Sequence, residues 1–321
     1  MIGKLIAVII VFVALFFSLS YLYQNLPQDP IKMTANTTEF EPTQIIDYGA
    51  TPVFAENLRF NHNNISYSIE PSCSEVRITA MREAFGIFEE KMKVISFREV
   101  AHAGVPSEEG KDGEADIMVG CSDEFIELGE HLFAAGEGGP SEIINMSHFK
   151  VIQKGKILLY RDPQCDRPVV ELHELLHVFG FDHTSDPKSL MYNTTNCDQK
   201  ITIDMIDLIK RLYSINPLPD ARISELSASK KGIYLDFNIT ILNEGLTGIE
   251  NINLSLIANG KEIDTIIFDE IGIGYKKTLR VTDMKLPSRN IETIDFVIDY
   301  KSMVEELNED NNLVQMTIMT S

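Results

Sequence analysis

The chain has 321 residues, of which 44% are hydrophobic, so it is long enough for about two domains with buried cores. Its formal net charge of −20 excludes nucleic acid as a partner and disfavours binding to anionic lipid surfaces. Neither a basic patch nor a phosphate-binding glycine loop interrupts this acidic composition.

The first residues predict a segment that enters a membrane. Lys4 is followed by nineteen uncharged residues from Leu5 to Tyr23, a run that at about 1.5 Å per residue nearly spans a hydrocarbon core of roughly 30 Å. Lys4 predicts a cytosolic N-terminus and a remainder outside the cytoplasm. Residues 1–24 are therefore either a signal anchor with a transmembrane helix or a signal peptide cleaved near Ser18–Ser20. The length of the run favours the anchor.

Residues 25–60 are polar, hold several prolines and lack periodicity, which predicts a linker or a short pro-region. Beyond residue 60 the chain changes to alternating and helical patterns. Ser74 is the predicted N-cap of the first of these helices, and Pro168 fits the first turn of another. The pattern predicts strands at 65–69, 94–97, 115–119, 130–135 and 156–160, and helices at 74–93, 168–179 and 201–213.

One helix carries the residues of a catalytic zinc site. His173 and His177 are four residues apart and therefore share one helix face, where both imidazoles can bind one metal ion. Glu174 can reach a water on that ion without being a ligand. Gly180 tolerates a positive φ, so the helix can end there and the chain can return His183 as a third ligand. Three protein ligands leave a zinc position open for water, which is typical of a catalytic site. An amphipathic helix with merely packed histidines is the alternative.

Met191 follows the third histidine by a short interval, in Ser189–Tyr192. The extended zinc motif followed by a methionine turn is the metzincin pattern, in which Met191 forms the apolar floor of the zinc site. A methionine that only fills a gap is the alternative. For Tyr192, packing is favoured over a role in stabilising the oxyanion.

The chain has four cysteines, Cys73, Cys121, Cys165 and Cys197. An even number in an exported protein favours disulfides, and four cysteines allow three connectivities. We expect Cys165–Cys197, which would join the two flanks of the zinc site, and Cys73–Cys121. Free buried thiols and a second zinc site are the alternatives, and the absence of a Cys-x-x-Cys spacing speaks against the second.

The last hundred residues have a different pattern. Asn216–Pro219 is a stiff boundary, and beyond it short alternating runs are separated by turn residues. These runs predict an all-β sandwich, and they contain neither a catalytic constellation nor a histidine. The predicted strands are 221–227, 233–242, 249–257, 261–268, 277–282, 291–299 and 313–319.

Residues 65–215 resemble the catalytic domain of matrixins, a family of metzincins. Beyond the zinc helix, the resemblance includes Gly113–Val119 (a strand with Ala-Asp-Ile), Leu190–Tyr192 (the methionine turn) and Ile203–Tyr213 (the closing helix). It implies an α+β fold, with a mixed twisted sheet and three helices. By position, His131–Ala135 would be the edge strand to which a substrate peptide adds as an extended strand.

The sequence departs from the matrixin pattern in two places. No cysteine precedes Cys73, so the family's cysteine switch is missing and the latency mechanism stays open. The ligands of a structural second zinc are not evident, because His102, His131 and His148 are scattered and are expected to be surface residues. Calcium sites stay undetermined.

Residues 220–321 resemble CARDB, an immunoglobulin-like domain of prokaryotic surface proteins. Asn243–Gly245 after one strand and Glu306–Asn312 before the last strand carry the resemblance. A solvated acidic turn is the alternative for Glu306–Asn312. The resemblance allows a cell-surface partner for residues 220–321.

The sequence thus predicts a protease domain at 61–216 and a sandwich at 217–321. The predicted activity is endopeptidase cleavage with one zinc ion, held by His173, His177 and His183, and with Glu174 as general base. The expected location is the cell membrane, with the catalytic domain outside the cytoplasm, or the exterior if the signal is cleaved. Two alternatives are an adhesion protein that acts through the sandwich beside a degenerate protease domain, and a purely structural zinc site.

Overall fold

A computed structural model describes residues 12–21, 30–36, 51–102, 115–124, 126–129 and 132–318. The chain forms two compact units. Pro42–Pro217 is one unit, and Met1–Glu41 joins Leu218–Ser321 in the other. We call them the metal-site unit and the sandwich unit.

The metal-site unit is built on one mixed sheet. The strands of this unit are β2 (Leu58–Phe60), β3 (Asn64–Ile69), β4 (Ser96–Glu99), β5 (Ile117–Cys121), β6 (Glu127–Gly129), β7 (Leu132–Phe133), β8 (Gly136–Asn145) and β9 (Lys150–Leu159). The central strands of the mixed sheet are parallel in the order β4-β3-β5-β9, β2 pairs in parallel with the first residues of β9, and β8 pairs along β9 in the antiparallel direction. A separate short ladder joins β6 to β7.

Three helices accompany this sheet in the described part of the unit: α2 (Glu75–Met92), α3 (Val169–Val178) and α4 (Ile203–Ser214). Ser74 is the N-cap of α2, because its hydroxyl accepts from the Arg77 amide, and Lys93 ends the helix in the left-handed region with φ 62°. The mixed sheet and the three helices confirm the predicted α+β class. Apolar side chains from all three helices and from the sheet form one core, including Phe60, Phe85, Phe88, Leu176, Phe179 and Leu212.

The edge of this sheet differs from the prediction. The antiparallel edge strand is β8, Gly136–Asn145, and not His131–Ala135. Leu132–Phe133 instead pairs with β6, and His131 lies outside the described residues. The sequence does not show that helix α3 lies directly beneath Gly136 and Gly138 and leaves no room for side chains at these two positions.

The sandwich unit contains each of the seven predicted strands. They are β10 (Ala221–Lys231), β11 (Tyr234–Asn243), β12 (Ile252–Ala258), β13 (Lys261–Phe268), β14 (Lys276–Lys285), β15 (Thr293–Ile298) and β16 (Leu313–Ile318). Strands β13-β12-β15-β16 are paired in one group and β10-β11-β14 in another. Phe237 and Phe296 meet between the groups with ring centroids 5.1 Å apart, in a buried core of mostly Ile, Leu and Phe.

An eighth strand, β1 (Ile31–Asn36), joins the two groups. It comes from residues 25–60, for which the sequence predicted only a linker or pro-region. Among its described side chains only Met33 is buried. This strand therefore depends on the neighbouring strand edges more than on its own apolar pattern, which explains why periodicity did not reveal it.

The two stretches that carry the CARDB resemblance form a buried polar network. Asn243 is fully buried, its side-chain oxygen accepts from the amides of Asp220 and Gly245, and its amide group donates to the carbonyls of Thr247 and Ile271. In the second stretch, the buried carboxylate of Glu306 accepts from the Ala221 amide and from the Asn312 side chain. Glu306–Asn312 is therefore not merely a solvated turn.

The transmembrane helix predicted within residues 1–24 is not supported. Helix α1 covers 12–21 of the described chain, whereas residues 1–11 and 22–29 lie outside it. Within the described residues, no helix combines the length and the apolar character needed to span a bilayer.

Both expected disulfides are present. Cys73–Cys121 joins the segment before α2 to the end of β5, and Cys165–Cys197 joins the segment before α3 to the loop before α4. Neither a thiol pair for a second zinc nor a free cysteine remains.

Candidate metal centre

Helix α3 is short, and nearly every side is covered by protein. It follows Pro168 and ends at Val178, because Gly180 turns the chain at φ 95°. The amides of Gly180 and Phe181 donate to the carbonyls of His177 and Leu176, respectively, which closes the helix end. A side chain at position 180 would also meet Leu58 at 2.8 Å, so this glycine is required by conformation and by space.

The three predicted ligands converge on one point. The Nε2 atoms of His173 and His177 are 3.1 Å apart, those of His173 and His183 3.2 Å, and those of His177 and His183 3.3 Å. His173 is buried, His177 is half-buried and His183 is exposed, so the cluster opens to solvent on the side of His183.

The other ring nitrogen of two of these histidines fixes the tautomer. Nδ1 of His173 is 2.6 Å from the Leu190 carbonyl, and Nδ1 of His177 is 2.8 Å from the Phe181 carbonyl. A carbonyl only accepts, so Nδ1 carries the proton and donates. Nε2 of both rings is therefore a bare lone pair that faces the cluster.

The electrostatics of the cluster favour neutral rings. Burial lowers the pKa of His173 to about 4, and the neighbouring His177 and His183 add to this effect while the Leu190 carbonyl opposes it. Burial likewise lowers the pKa of His177. Neutral imidazole is the form that binds metal.

The residues fit a tetrahedral zinc ion. The bare lone pairs of His173 and His177 face one another at 3.1 Å and repel unless a cation lies between them, and Nε2 of His183 lies within 3.3 Å of both. Zinc–nitrogen bonds of about 2.0–2.1 Å at tetrahedral angles place the nitrogens roughly 3.3 Å apart, which agrees with this cluster. Among the described residues, His173, His177 and His183 are the group of potential ligands that meets at one point.

Glu174 follows His173 directly in helix α3 and lies in a dry environment. Its residue exposure is 6%, and burial raises the pKa of its carboxyl to about 8, with further contributions from Glu137 and Glu171. A divalent cation at the histidine cluster acts in the opposite direction and favours the carboxylate.

Two glycines that the sequence pattern did not single out let the edge strand approach this carboxylate. A Cβ at Gly136 would be 2.8 Å from Cγ of Glu174, and a Cβ at Gly138 would be 2.1 Å from its backbone oxygen. Strand β8 therefore lies directly against the zinc helix. The alternate glycines at 136 and 138 are the sequence signal for this close backbone approach.

The methionine turn is placed next to the ligands. Met191 is fully buried, the preceding carbonyl of Leu190 accepts from His173, and the Met191 carbonyl accepts from the Thr184 amide just after His183. The turn thus ties the first and third histidines together. Tyr192 is half-buried.

Two of the three histidines that were expected to be surface residues can be placed, and neither joins the cluster. His102 and His148 are half-buried and belong to no metal-binding group among the described residues, and His131 lies outside them.

In the comparison with known proteins, one family model matches each half of the chain. The family model for matrixins matches residues 59–214, and the CARDB family model matches residues 218–316. Matrixins are zinc-dependent, and the three histidines can bind zinc.

Two solved structures are similar at low identity. Archaemetzincin from Methanopyrus kandleri is 15% identical over 48% of this chain and 97% of its own, with a TM-score of 0.31. The CARDB domain of the PF1109 protein from Pyrococcus furiosus, crystallised in complex with di-metal ions, is 19% identical over 32% of this chain and 94% of its own, with a TM-score of 0.25.

Proposed function

We propose that this chain, which carries a matrixin domain at 59–214 and a CARDB domain at 218–316, is a zinc-dependent endopeptidase that acts outside the cytoplasm. The observation that carries the proposal is the convergence of the Nε2 atoms of three histidines, with the buried Glu174 as the residue that follows His173 in the helix. A cluster whose third ligand is exposed leaves a side from which water and a peptide can approach.

Each residue of the cluster has a defined task in peptide hydrolysis. His173, His177 and His183 hold zinc, which when bound polarises the scissile carbonyl and lowers the pKa of water. Glu174 accepts a proton from the attacking water and later donates it to the leaving amine. The carbonyls of Leu190 and Phe181 keep the rings of His173 and His177 in the orientation that binding needs.

The edge strand β8 supplies the binding surface for an extended peptide. The Tyr160 amide donates to the Ala135 carbonyl, so the backbone of Ala135 faces β9. Because backbone groups alternate in an antiparallel pair, Gly136 and Gly138 direct theirs toward the free edge. A substrate strand can pair there, next to Glu174, through main-chain hydrogen bonds.

The location outside the cytoplasm is supported by the two disulfides, since such bonds persist in oxidising compartments. The apolar run that begins at Leu5 remains the proposed export signal or anchor. Cell fractionation followed by labelling of free thiols tests this: a soluble cytosolic protein with four reactive cysteines would contradict it.

The decisive experiment for the activity compares Glu174→Ala with the unmodified protein. Zinc content and cleavage of an unstructured protein are measured on the same samples. We expect one zinc per chain in both proteins and loss of cleavage only in Glu174→Ala, by about 10²–10⁴-fold for a general base. Glu142→Ala removes an exposed carboxylate from the other end of β8 and is the matched control.

The other outcomes point to other functions. Unchanged cleavage by Glu174→Ala would contradict the mechanism. Bound zinc without any cleavage would indicate a structural zinc site. Absence of both zinc and cleavage would favour an adhesion protein that acts through the CARDB domain.

A further inference from the structure

The sandwich unit has a seam between its two groups of strands. On one side the seam is bordered by β10, whose other neighbour is β11, and on the other side by β16, whose other neighbour is β15. Without β1 both strands would be open edges with unpaired backbone groups. The CARDB family match begins at residue 218, so the strand that fills the seam is an addition to that domain.

Strand β1 crosses from one border of the seam to the other. Ile31 and Lys32 pair with Lys230 and Ser229 of β10, whereas residues 33–36 pair with residues 318–315 of β16. Both pairings are antiparallel. One short segment thus supplies hydrogen bonds to two strand edges that belong to different groups.

The contacts that hold β1 are mainly those of its backbone. Met33 enters the core of the sandwich with 7% exposure, but Ile31 is 45% exposed, and Lys32, Thr34 and Ala35 are also exposed. A cavity of about 630 Å³ lies beside the strand, lined by Met33, Leu226, Phe237 and Met316 among others. The seam therefore accepts an extended segment through main-chain pairing and one apolar anchor, as in strand addition.

We propose that the seam is a strand-acceptor site and that residues 31–36 of a second copy of this chain occupy it by exchange. A second copy brings the same backbone ladder and the same Met33 anchor, so exchange preserves every contact that β1 makes within one chain. Exchange of an identical element between copies is a low-cost route to a dimer for this reason.

The chain connection permits the exchange. The metal-site unit is fixed at Thr51, whose amide donates to the Asp204 carboxylate at 2.8 Å. Asn36 and Thr51 are fifteen positions apart, which sets an upper limit of about 50 Å on their separation at roughly 3.3–3.6 Å per residue. This upper limit does not oblige strand β1 to pair within its own chain.

Paired cysteines test the exchange in the full-length protein. Thr34 of β1 lies directly opposite Thr317 of β16, and neither residue is buried. Two differently tagged chains, one with Thr34→Cys and one with Thr317→Cys, are mixed at rising concentration under a mild oxidant. We expect a disulfide-linked species that carries both tags, at twice the chain mass of 36.2 kDa.

Two controls make each outcome decisive. The double variant Thr34→Cys/Thr317→Cys in one chain is expected to form an internal disulfide, which verifies the register of β1. Thr34→Cys mixed with Thr265→Cys, whose position on β13 lies at the far end of the strand order, is expected not to link above background. An internal disulfide in the double variant without any mixed species would overturn the exchange, and no disulfide in either experiment would overturn the acceptor site itself.

Discussion

The metal centre and the polar network of the sandwich both bury polar side chains, but they satisfy them in opposite ways. Around Asn243 each donor meets an acceptor of the same chain. Around His173 the Nε2 atoms of three histidines face one another, and the carbonyls of Leu190 and Phe181 fix two of these nitrogens, those of His173 and His177, as acceptors. Paired donors and acceptors stabilise a fold, whereas ring nitrogens that face one another form a binding site for a metal ion.

The largest effect, on zinc affinity and peptide cleavage, is expected when one of the three histidine ligands is removed. His183→Ala removes an exposed ligand that the core does not use, so we expect the domain to fold, zinc affinity to fall at least tenfold, and peptide cleavage to fall by about three orders of magnitude. Zinc titration and cleavage assays measure these effects. His148→Ala is the control, since this histidine lies outside the cluster. Full activity of His183→Ala would mean that the third ligand is another residue.

The second prediction concerns the contact between β8 and the zinc helix. In Gly138→Ala the new methyl group would lie 2.1 Å from the backbone oxygen of Glu174, so strand and helix must separate. A displacement of about 1 Å near reacting groups costs roughly 10²-fold in rate. Gly139→Ala is the matched control, because a Cβ there meets nothing within 4 Å. Equal kcat/KM values for the two variants would contradict the close approach.

The third prediction concerns the polar network around Asn243 in the sandwich unit. Asn243→Ala leaves buried amides and carbonyls without partners, which at about 1–3 kcal/mol per group lowers the free energy of unfolding of the sandwich by several kcal/mol. Urea denaturation measures the loss. We expect zinc content to stay the same and the exposed Asn290→Ala to change little. Loss of zinc in Asn243→Ala would contradict the expectation that this network stabilises the sandwich without affecting the metal centre.

The smallest effect is expected for the thermal stability of the sandwich unit when the pH is changed. Burial raises the pKa of Glu306 to about 7, with smaller contributions from Glu309 and Asp220. A carboxyl with a raised pKa in the folded state favours folding while protonated, so its contribution is complete below the unfolded value near 4.5 and is lost as pH rises through 7. We expect the Tm of the sandwich to decrease by a few degrees between pH 5 and pH 8. In Glu306→Gln this part of the pH dependence should disappear; an unchanged slope would contradict the assignment.

The sequence predicted those features that depend on the pattern of residues close together in the chain. His173 and His177 could be placed on one helix face, and the turn at Gly180 could be anticipated, because both follow from local backbone geometry. The seven sandwich strands and both disulfides were also predicted correctly. Strand β8 and strand β1 were not, since one is shaped by helix packing and the other by two distant strand edges.

Strand β1 also changes what a break in the chain would mean. Peptide-bond cleavage between Asn36 and Thr51 severs the covalent link to the metal-site unit, but the ladder to β10 and β16 still holds the released segment on the sandwich. Proteolytic processing at this place would produce two polypeptides that remain one particle. Separation on a denaturing gel and co-elution under native conditions are therefore compatible results for this protein.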